Sequence, residues 1–384
     1  MAQKYTYEDY TIAVIIPVEY QMTAFRHMLD QEHPALPTKK GDTNMYIHGE
    51  YNGHNIVIAC LPGKYGKASA SAVSTNLNRS FPSIIWRFLI TTGGAVPSLE
   101  NDIRLGDVVV SMPDQGTHGG VVEYDLGRDI EDDFELKGFL FPPPTLLRNV
   151  AQVMKSDHFI RDNKIEEFIS LMTKNAEQPS IFERPSETLH PDILYAADYP
   201  HISGEKTCAN CDKSRAVIRG DRYVEGSMIH YGLVASGDRA IRSATKRDAL
   251  AEKIGNVLCF EREAAGVATE SPCIVICGIS NYSDSHENDV WNYYAAAAAA
   301  AVGKEMISYL TPKSRPSDTT SSALSSHRGM SSNSTIGTFT ILRNEFGSLG
   351  IQQAAPGTIP LEWVQLLALA VDRDRDHDGG WSIL

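Results

Sequence analysis

Residues 257–310 restrict the fold more than any other stretch, because they read as strand, polar cluster, helix, strand, polar cluster, helix. The apolar run 257–260 leads into Glu261-Arg262-Glu263, and a helix of small residues starts at Ala264. A second apolar run, 273–279, delivers Ser280-Asn281-Tyr282-Ser283-Asp284. Strands separated by helices build a layered α/β fold, and ligands bind where parallel strands end. Both polar clusters therefore belong at one edge of a sheet. A carboxylate such as Glu263 accepts hydrogen bonds from both hydroxyls of a vicinal diol, while Ser280 and Asn281 offer groups for a base edge.

The same rhythm runs through the rest of the chain. Strand 12–18 precedes a helix over about 19–30, with Met22, Phe25, Met28 and Leu29 at helical spacing. Runs 45–51 and 55–60 flank Asn52-Gly53, a hairpin signal. Residues 66–77 read as a small-residue helix, 84–91 and 107–112 as strands, 230–235 as a further strand, and 293–310 as a helix built on the alanine run 295–301. Residues 126–229 break the pattern. This segment is polar, carries Pro142-Pro-Pro144 and holds helical patches near 145–154 and 163–175, so it is expected as an insertion over one face of the sheet. The fold expected is a three-layer α/β sandwich with a central, mostly parallel mixed sheet spanning residues 1–311.

After Thr311 the composition changes. Residues 312–335 are rich in Ser, Thr and Pro and read as a linker. Residues 336–384 are expected as a largely disordered tail with one apolar helical patch at 361–371. There Asp374-x-Asp376-x-Asp378-Gly379 is similar to the first half of an EF-hand calcium loop, without the Glu expected at the twelfth loop position. The alternative reading is a frayed acidic terminus.

The formal charge of −13 argues against an electrostatic nucleic-acid binder, which presents a basic face, but leaves a free nucleoside open. No apolar run reaches the roughly eighteen residues of a membrane span, and Met1-Ala-Gln-Lys-Tyr5 lacks the apolar core of a signal peptide. A cytoplasmic setting is expected. Of the six cysteines, Cys60, Cys259, Cys273 and Cys277 lie in apolar strand-like runs. Cys208 and Cys211 form a lone Cys-x-x-Cys. Zinc there needs two further ligands that the spacing does not show, so the expected reading is a reduced loop pair and no resident metal or cofactor, calcium at the acidic tail being the alternative.

The ordered motifs resemble the nucleoside phosphorylase and nucleosidase superfamily: Thr11-Ile-Ala-Val-Ile-Ile-Pro-Val18, Gly63-Lys-Tyr-Gly-Lys67, Thr92-Gly-Gly-Ala-Val96, Ile103-Arg-Leu-Gly-Asp-Val-Val-Val-Ser111 and the Glu261-Arg-Glu-Ala-Ala265 segment. The resemblance covers roughly residues 10–312. In detail it is most similar to the nucleosidase-type N-terminal domain of fungal innate-immunity-like receptors, through Gly119-Gly-Val-Val-Glu-Tyr-Asp125, Pro142-Pro-Pro144, Cys208-Ala-Asn-Cys-Asp212, His230-Tyr-Gly-Leu-Val-Ala-Ser236 and Asp284-Ser-His286.

The resemblance implies a site. It puts Glu19, after Pro17-Val18, on a water-activating position, Glu263 on the ribose hydroxyls, and Glu261 in a less direct role. Thr92, Gly93 and Gly94 fall near the ribose, and Ser236 and Asp238 near the base pocket. Arg262 replaces the family's usual Met, where it crowds the ribose or reaches an anion such as a 5′-phosphate. Asn281 stands where the family carries the Asp that protonates N7 of the leaving purine. An amide hydrogen-bonds N7 but has no acidic proton to give, and loss of proton transfer costs about 10²–10⁴-fold in rate. Asp284, three residues on, is the substitute acid to consider, or a loop residue. Leu89 occupies the place of the phosphorylase Arg, and Arg87 is two residues early, so water is the expected acceptor. The leading expectation is a purine nucleoside or nucleotide N-ribosyl hydrolase. The alternatives are a nucleoside-binding module without turnover and, third, a phosphorylase. The partners expected are the small-molecule nucleoside or nucleotide and further copies in a dimer or receptor assembly, with no nucleic acid and no membrane.

Overall fold

The computed structural model describes residues 5–114, 117–131, 133–174, 181–205, 207–222, 226–286 and 288–312, together with the backbone of 339–343 and 349–353. The chain divides into two compact units, Met1–Arg315 and Pro316–Leu384. In the second, Phe339–Arg343 and Leu349–Gln353 pair as an antiparallel hairpin. The apolar patch 361–371 and the acidic run with Asp374, Asp376 and Asp378 lie outside the described residues, as does most of the Ser/Thr/Pro-rich stretch.

In the first unit the elements follow in this order. They are β1 (Ile12–Ile16), α1 (Glu19–Arg26), β2 (Gln31–His33), β3 (Tyr46–Tyr51), β4 (His54–Cys60), α2 (Lys67–Ser80), β5 (Trp86–Ala95) and β6 (Val108–Ser111). Then come β7 (Val121–Glu123), β8 (Gly127–Ile130), β9 (Asp133–Leu136), α3 (Thr145–Asp157) and α4 (Ile165–Lys174). The chain continues with β10 (Ile229–Ser236), α5 (Ala244–Ile254), β11 (Val257–Glu261), α6 (Ala264–Glu270), β12 (Ile274–Asn281) and α7 (Trp291–Ser308).

Strands buried on both faces read as continuous apolar runs, and β1, β6 and β11 are buried at every residue. The main sheet runs β11-β10-β6-β12-β5-β1-β4-β3-β2, with β7 on β10. β1 lies parallel to β4 and β5, β12 to β5, and β10 to β6, β7 and β11. β12–β6, β3–β4, β2–β3 and β11–β5 are antiparallel. The last pairing was not visible in the sequence. It joins β11 back to the end of β5, so that β5, β12, β6, β10 and β11 close on themselves.

Asn52 and Gly53 both take positive φ, +51° and +74°, as a two-residue hairpin turn requires. The alanine run of α7 lets that helix sit directly on the sheet. A Cβ built on Gly278 of β12 would stand 2.0 Å from the Ala295 carbonyl oxygen, so no side chain fits between them. α3 and α4, from the irregular insertion, pack against α7. α5 and the short strands β2, β7, β8 and β9 were not expected from the sequence; β8 and β9 form a separate hairpin.

Candidate functional site

Three strand ends meet at Gly94. Its register partner is Phe260 on β11 and Asn281 on β12. The meeting is close: a Cβ on Gly94 would lie 2.2 Å from Ser283 Oγ and 2.3 Å from Asn281 Oδ1, and one on Gly93 would lie 2.3 Å from the Phe260 carbonyl oxygen. Here glycine is a steric requirement, not a turn residue. The β5–β12 register slips between Ile279 and Asn281, leaving Ser280 as an extra residue. Such a bulge breaks the alternation of side chains, and Ser280 and Asn281 both line the cleft as a result.

The cleft has a volume of about 240 Å³. Thr92, Gly93, Gly94, Glu261, Arg262, Ser280 and Asn281 form its walls, joined by Ser283, Asn288, Asp289 and Asn292 on the side that follows β12. Arg239 and Arg242 line the same cleft as Arg262, whose guanidinium donates to the Asp238 carbonyl at 3.1 Å. Nothing in the local sequence pattern marks Arg239 or Arg242 as site residues. They follow Asp238 in an exposed loop with no periodicity to mark them.

Two carboxylates sit at the β11 end. Glu261 Oε2 accepts the backbone N–H groups of Glu263 and Ala264, both at 2.9 Å. Its Oε1 is buried without a hydrogen-bond partner on the chain. Burial, and then the neighbouring Glu263 carboxylate, lift the Glu261 pKa to about 7. Glu263, 4% exposed, is not among the residues that line the cleft, unlike the sequence expectation that placed it on the ribose hydroxyls. Its oxygens take the Gly66 N–H at 3.2 Å and the Thr91 hydroxyl at 3.4 Å. Burial raises its pKa too, against the lowering pull of the Gly66 N–H and Arg262. The pair thus holds less than two full negative charges near neutral pH.

Asn281 is oriented by its own loop. Its Oδ1 accepts the Ser283 N–H at 2.9 Å, and Ser283 adopts a φ of +51° to make that turn. The carbonyl end is therefore occupied. The amide NH₂, 3.3 Å from Ser280 Oγ, is the end left to donate.

The other expected site residues lie outside the cleft walls. Glu19 is exposed on the first turn of α1, close enough to Cys60 to help raise that thiol's pKa after burial has done most of it. Two residues on, Gln21 Nε2 donates to Thr92 Oγ1 at 2.8 Å and ties this turn to the cleft. Ser236 Oγ accepts the Ala265 N–H at 2.9 Å, holding the start of α6. Asp238 Oδ1 accepts the Lys67 N–H at 2.9 Å, closing the 66–67 turn. Asp284 is buried, and its Oδ1 accepts the His286 N–H at 2.8 Å, which makes it part of the loop. Arg87 donates from Nε to Asn78 Oδ1 at 2.9 Å, and Leu89 is fully buried.

The fold is one shared with nucleosidases of known structure, at low sequence identity. The 5′-methylthioadenosine/S-adenosylhomocysteine nucleosidase of Neisseria meningitidis, in complex with methylthio-immucillin-A, superposes with a TM-score of 0.50 at 16% identity, over 78% of this chain and 99% of that one. The futalosine hydrolase of Helicobacter pylori superposes with a TM-score of 0.50 at 15% identity, over 79% and 99%. A Helicobacter pylori methylthioadenosine nucleosidase carrying an Asp-to-Asn change, with 5′-methylthioadenosine in its active site, gives 0.50 at 15% identity, over 78% and 99%. These likenesses establish the fold.

In sequence, a nucleotide-binding leucine-rich repeat (NLR)-like protein of Hyaloscypha variabilis is 34% identical over 307 residues, which is 80% of this chain and 30% of that protein. The chain thus spans under a third of this relative's length. No family model matches the sequence. Among the described residues no helix is long and apolar enough to cross a membrane.

Proposed function

We propose that this domain is a purine nucleoside or nucleotide N-ribosyl hydrolase. The observation that carries the reading is the convergence of Glu261, Arg262, Thr92, Gly93, Gly94, Ser280 and Asn281 on one cleft at the ends of β5, β11 and β12. In the reaction the C1′–N9 bond breaks and its electron pair leaves with the base. The Glu261–Glu263 end faces the ribose, its partner-free Oε1 accepting a hydroxyl and its charge stabilising the oxocarbenium-like transition state. The Asn281 amide donates to N7 and steadies the departing base, which takes its proton from solvent. Water adds to C1′, and Glu19, exposed on the first turn of α1, is the base that the sequence resemblance assigns to take its proton. The arginines among the lining residues, Arg239, Arg242 and Arg262, support a substrate with an anionic 5′-group over a neutral nucleoside. With Arg87 turned to Asn78, water is favoured over phosphate as the acceptor.

A second reading rests on Asn281 itself. A site with no N7 acid binds better than it turns over, and the NLR-like relative fits a sensing module within a receptor assembly. One experiment separates the two. Purified protein is incubated with adenosine, inosine, AMP and ATP, with and without phosphate, and free base is followed by chromatography beside calorimetric binding. Base release without ribose 1-phosphate supports hydrolysis. Binding without release supports the sensor. Neither binding nor release sinks both.

A further inference from the structure

Four side chains outside the cleft come together with no part in the chemistry above. His201, Cys208, Cys211 and His286 each offer one ligand atom, and these atoms lie within 4.8 Å of one another. His286 Nδ1 is 3.5 Å from Cys208 Sγ and 3.8 Å from Cys211 Sγ. A tetrahedral ion with metal–sulfur bonds of about 2.3 Å and metal–nitrogen bonds of about 2.0–2.1 Å sets sulfur and nitrogen about 3.5 Å apart, so the two His286–sulfur distances are already those of a ligand shell, and the remaining pairs need to close by no more than about 1–1.5 Å.

The ring orientation agrees. His286 Nε2 is 2.9 Å from the Tyr199 carbonyl oxygen. A carbonyl only accepts, so Nε2 carries the proton and Nδ1 turns its lone pair toward the two sulfurs. Metal-binding histidines are held by this kind of N–H to carbonyl bond. Tyr195 stacks on the His286 ring, with centroids 4.1 Å apart and planes 22° from parallel, which fixes the ring further. His201 Nε2 makes the corresponding contact to the Thr207 carbonyl oxygen at 3.1 Å. The Cys-x-x-Cys curls through a single 3₁₀ turn, Cys208–Asn210, with the Cys211 N–H on the Cys208 carbonyl at 3.2 Å. Both cysteines are free thiols.

We propose that His201, Cys208, Cys211 and His286 form a closed, four-coordinate zinc site. Two thiolates and two imidazoles in tetrahedral spacing suit zinc over magnesium or calcium, which take oxygen ligands, and four protein ligands leave no open position for catalysis. The site is structural, and its place in the fold gives its purpose. Three ligands belong to the insertion, where residues 181–222 hold two 3₁₀ turns and one isolated bridge, Tyr195 to Ala216. The fourth, His286, stands five residues beyond Asn281, in the segment whose Ser283, Asn288 and Asp289 line the cleft. The ion pins an irregular segment to the base-side wall of the cleft. The site stands whether the cleft hydrolyses its ligand or only binds it.

The test begins with the unaltered full chain, produced in zinc-supplemented cells and purified without chelators. Elemental analysis should find about one zinc per chain. Protein stripped by a chelator should take up cobalt(II) with intense tetrahedral d–d and thiolate-to-metal absorption, and zinc should displace it. Cys208→Ser and His286→Ala should lose the zinc, while Cys60→Ser keeps it. Chelation should lower the melting temperature of the unaltered chain and leave that of Cys208→Ser unmoved. The proposal is overturned if the unaltered chain neither retains nor takes up zinc, if Cys208→Ser and His286→Ala keep full zinc, or if intact mass shows Cys208 and Cys211 joined as a disulfide in freshly isolated protein. The first and third outcomes need no variant to fold.

Discussion

The two walls of the cleft are built on different principles. At the β11 end, Glu261 and Glu263 are buried and held by backbone N–H groups of their own turn and of Gly66. Their positions follow from the sheet and from the first turn of α6. At the β12 end, Asn281 hangs from a bulge and a loop, and that loop leads into His286 and the irregular insertion. The first wall is tied to Gly66 and Thr91, far away in sequence. On the second, Asn281 is oriented by its own loop through the Ser283 N–H. If the proposed function holds, a site divided this way would keep its β11 side when the β12 side changes.

The most decisive test of this division is Asn281→Asp. If the base wall alone lacks an acid, the change should raise base release about 10²–10⁴-fold while affinity stays nearly constant. Single-turnover chromatography with adenosine and AMP reads it. A fast unaltered enzyme, or an inert revertant, would show that the handicap lies elsewhere.

Next in size is Glu263→Ala, expected to weaken riboside binding by about 1.5–3 kcal/mol, the range for hydrogen bonds to a charged group. Because Glu261 Oε2 holds the Glu263 N–H and the Glu263 charge raises the Glu261 pKa, the loss should be shared by Glu261→Ala and be non-additive in the double variant. Additive losses in calorimetry would mean two independent contacts.

Gly94→Ala tests the meeting point of both walls. A methyl 2.2 Å from Ser283 Oγ and 2.3 Å from Asn281 Oδ1 must push the base wall outward. We expect a stability loss of about 1–3 kcal/mol by denaturant unfolding, with base recognition weakened more than ribose recognition. A neutral change would mean that the wall after β12 yields freely.

A pH series separates the walls by charge. Glu261, lifted to about 7 in the folded state, is fully stabilising below the ordinary carboxylate range, and its contribution is lost as pH rises through about 7. Relative to Glu261→Gln, the unaltered protein should therefore lose stability between about pH 5 and pH 7.5, by on the order of 1–3 kcal/mol. A difference that does not change with pH would mean that Glu261 is ionised throughout. The smallest expected effect is that of phosphate, which should leave the rate unchanged and yield no ribose 1-phosphate.

Much of this molecule was legible in its residues. The apolar runs that became β1, β5, β11 and β12, the Asn52-Gly53 turn, the alanine helix and the two polar clusters at strand ends follow from periodicity, which acts over a few residues. Glu261, Asn281 and the Thr92–Gly94 contacts were placed in one site from the sequence, and the cleft brings them together. Asp284 and Asp238 each carry two readings in the sequence, and in the structure they accept the His286 and Lys67 N–H groups.

Local pattern in the chain was enough to say which strands are buried and which side chains each delivers at its end, because burial on a pleated strand is written in consecutive residues. Long-range packing was needed for the closure of β11 onto β5, the bulge that turns both Ser280 and Asn281 inward, the presence of Arg239, Arg242 and Arg262 on one cleft, and the meeting of His201, Cys208 and Cys211 with His286. These depend on contacts between residues far apart in the chain. Register, bulges and the path of an irregular insertion are set by packing across the whole domain and leave no period in the sequence.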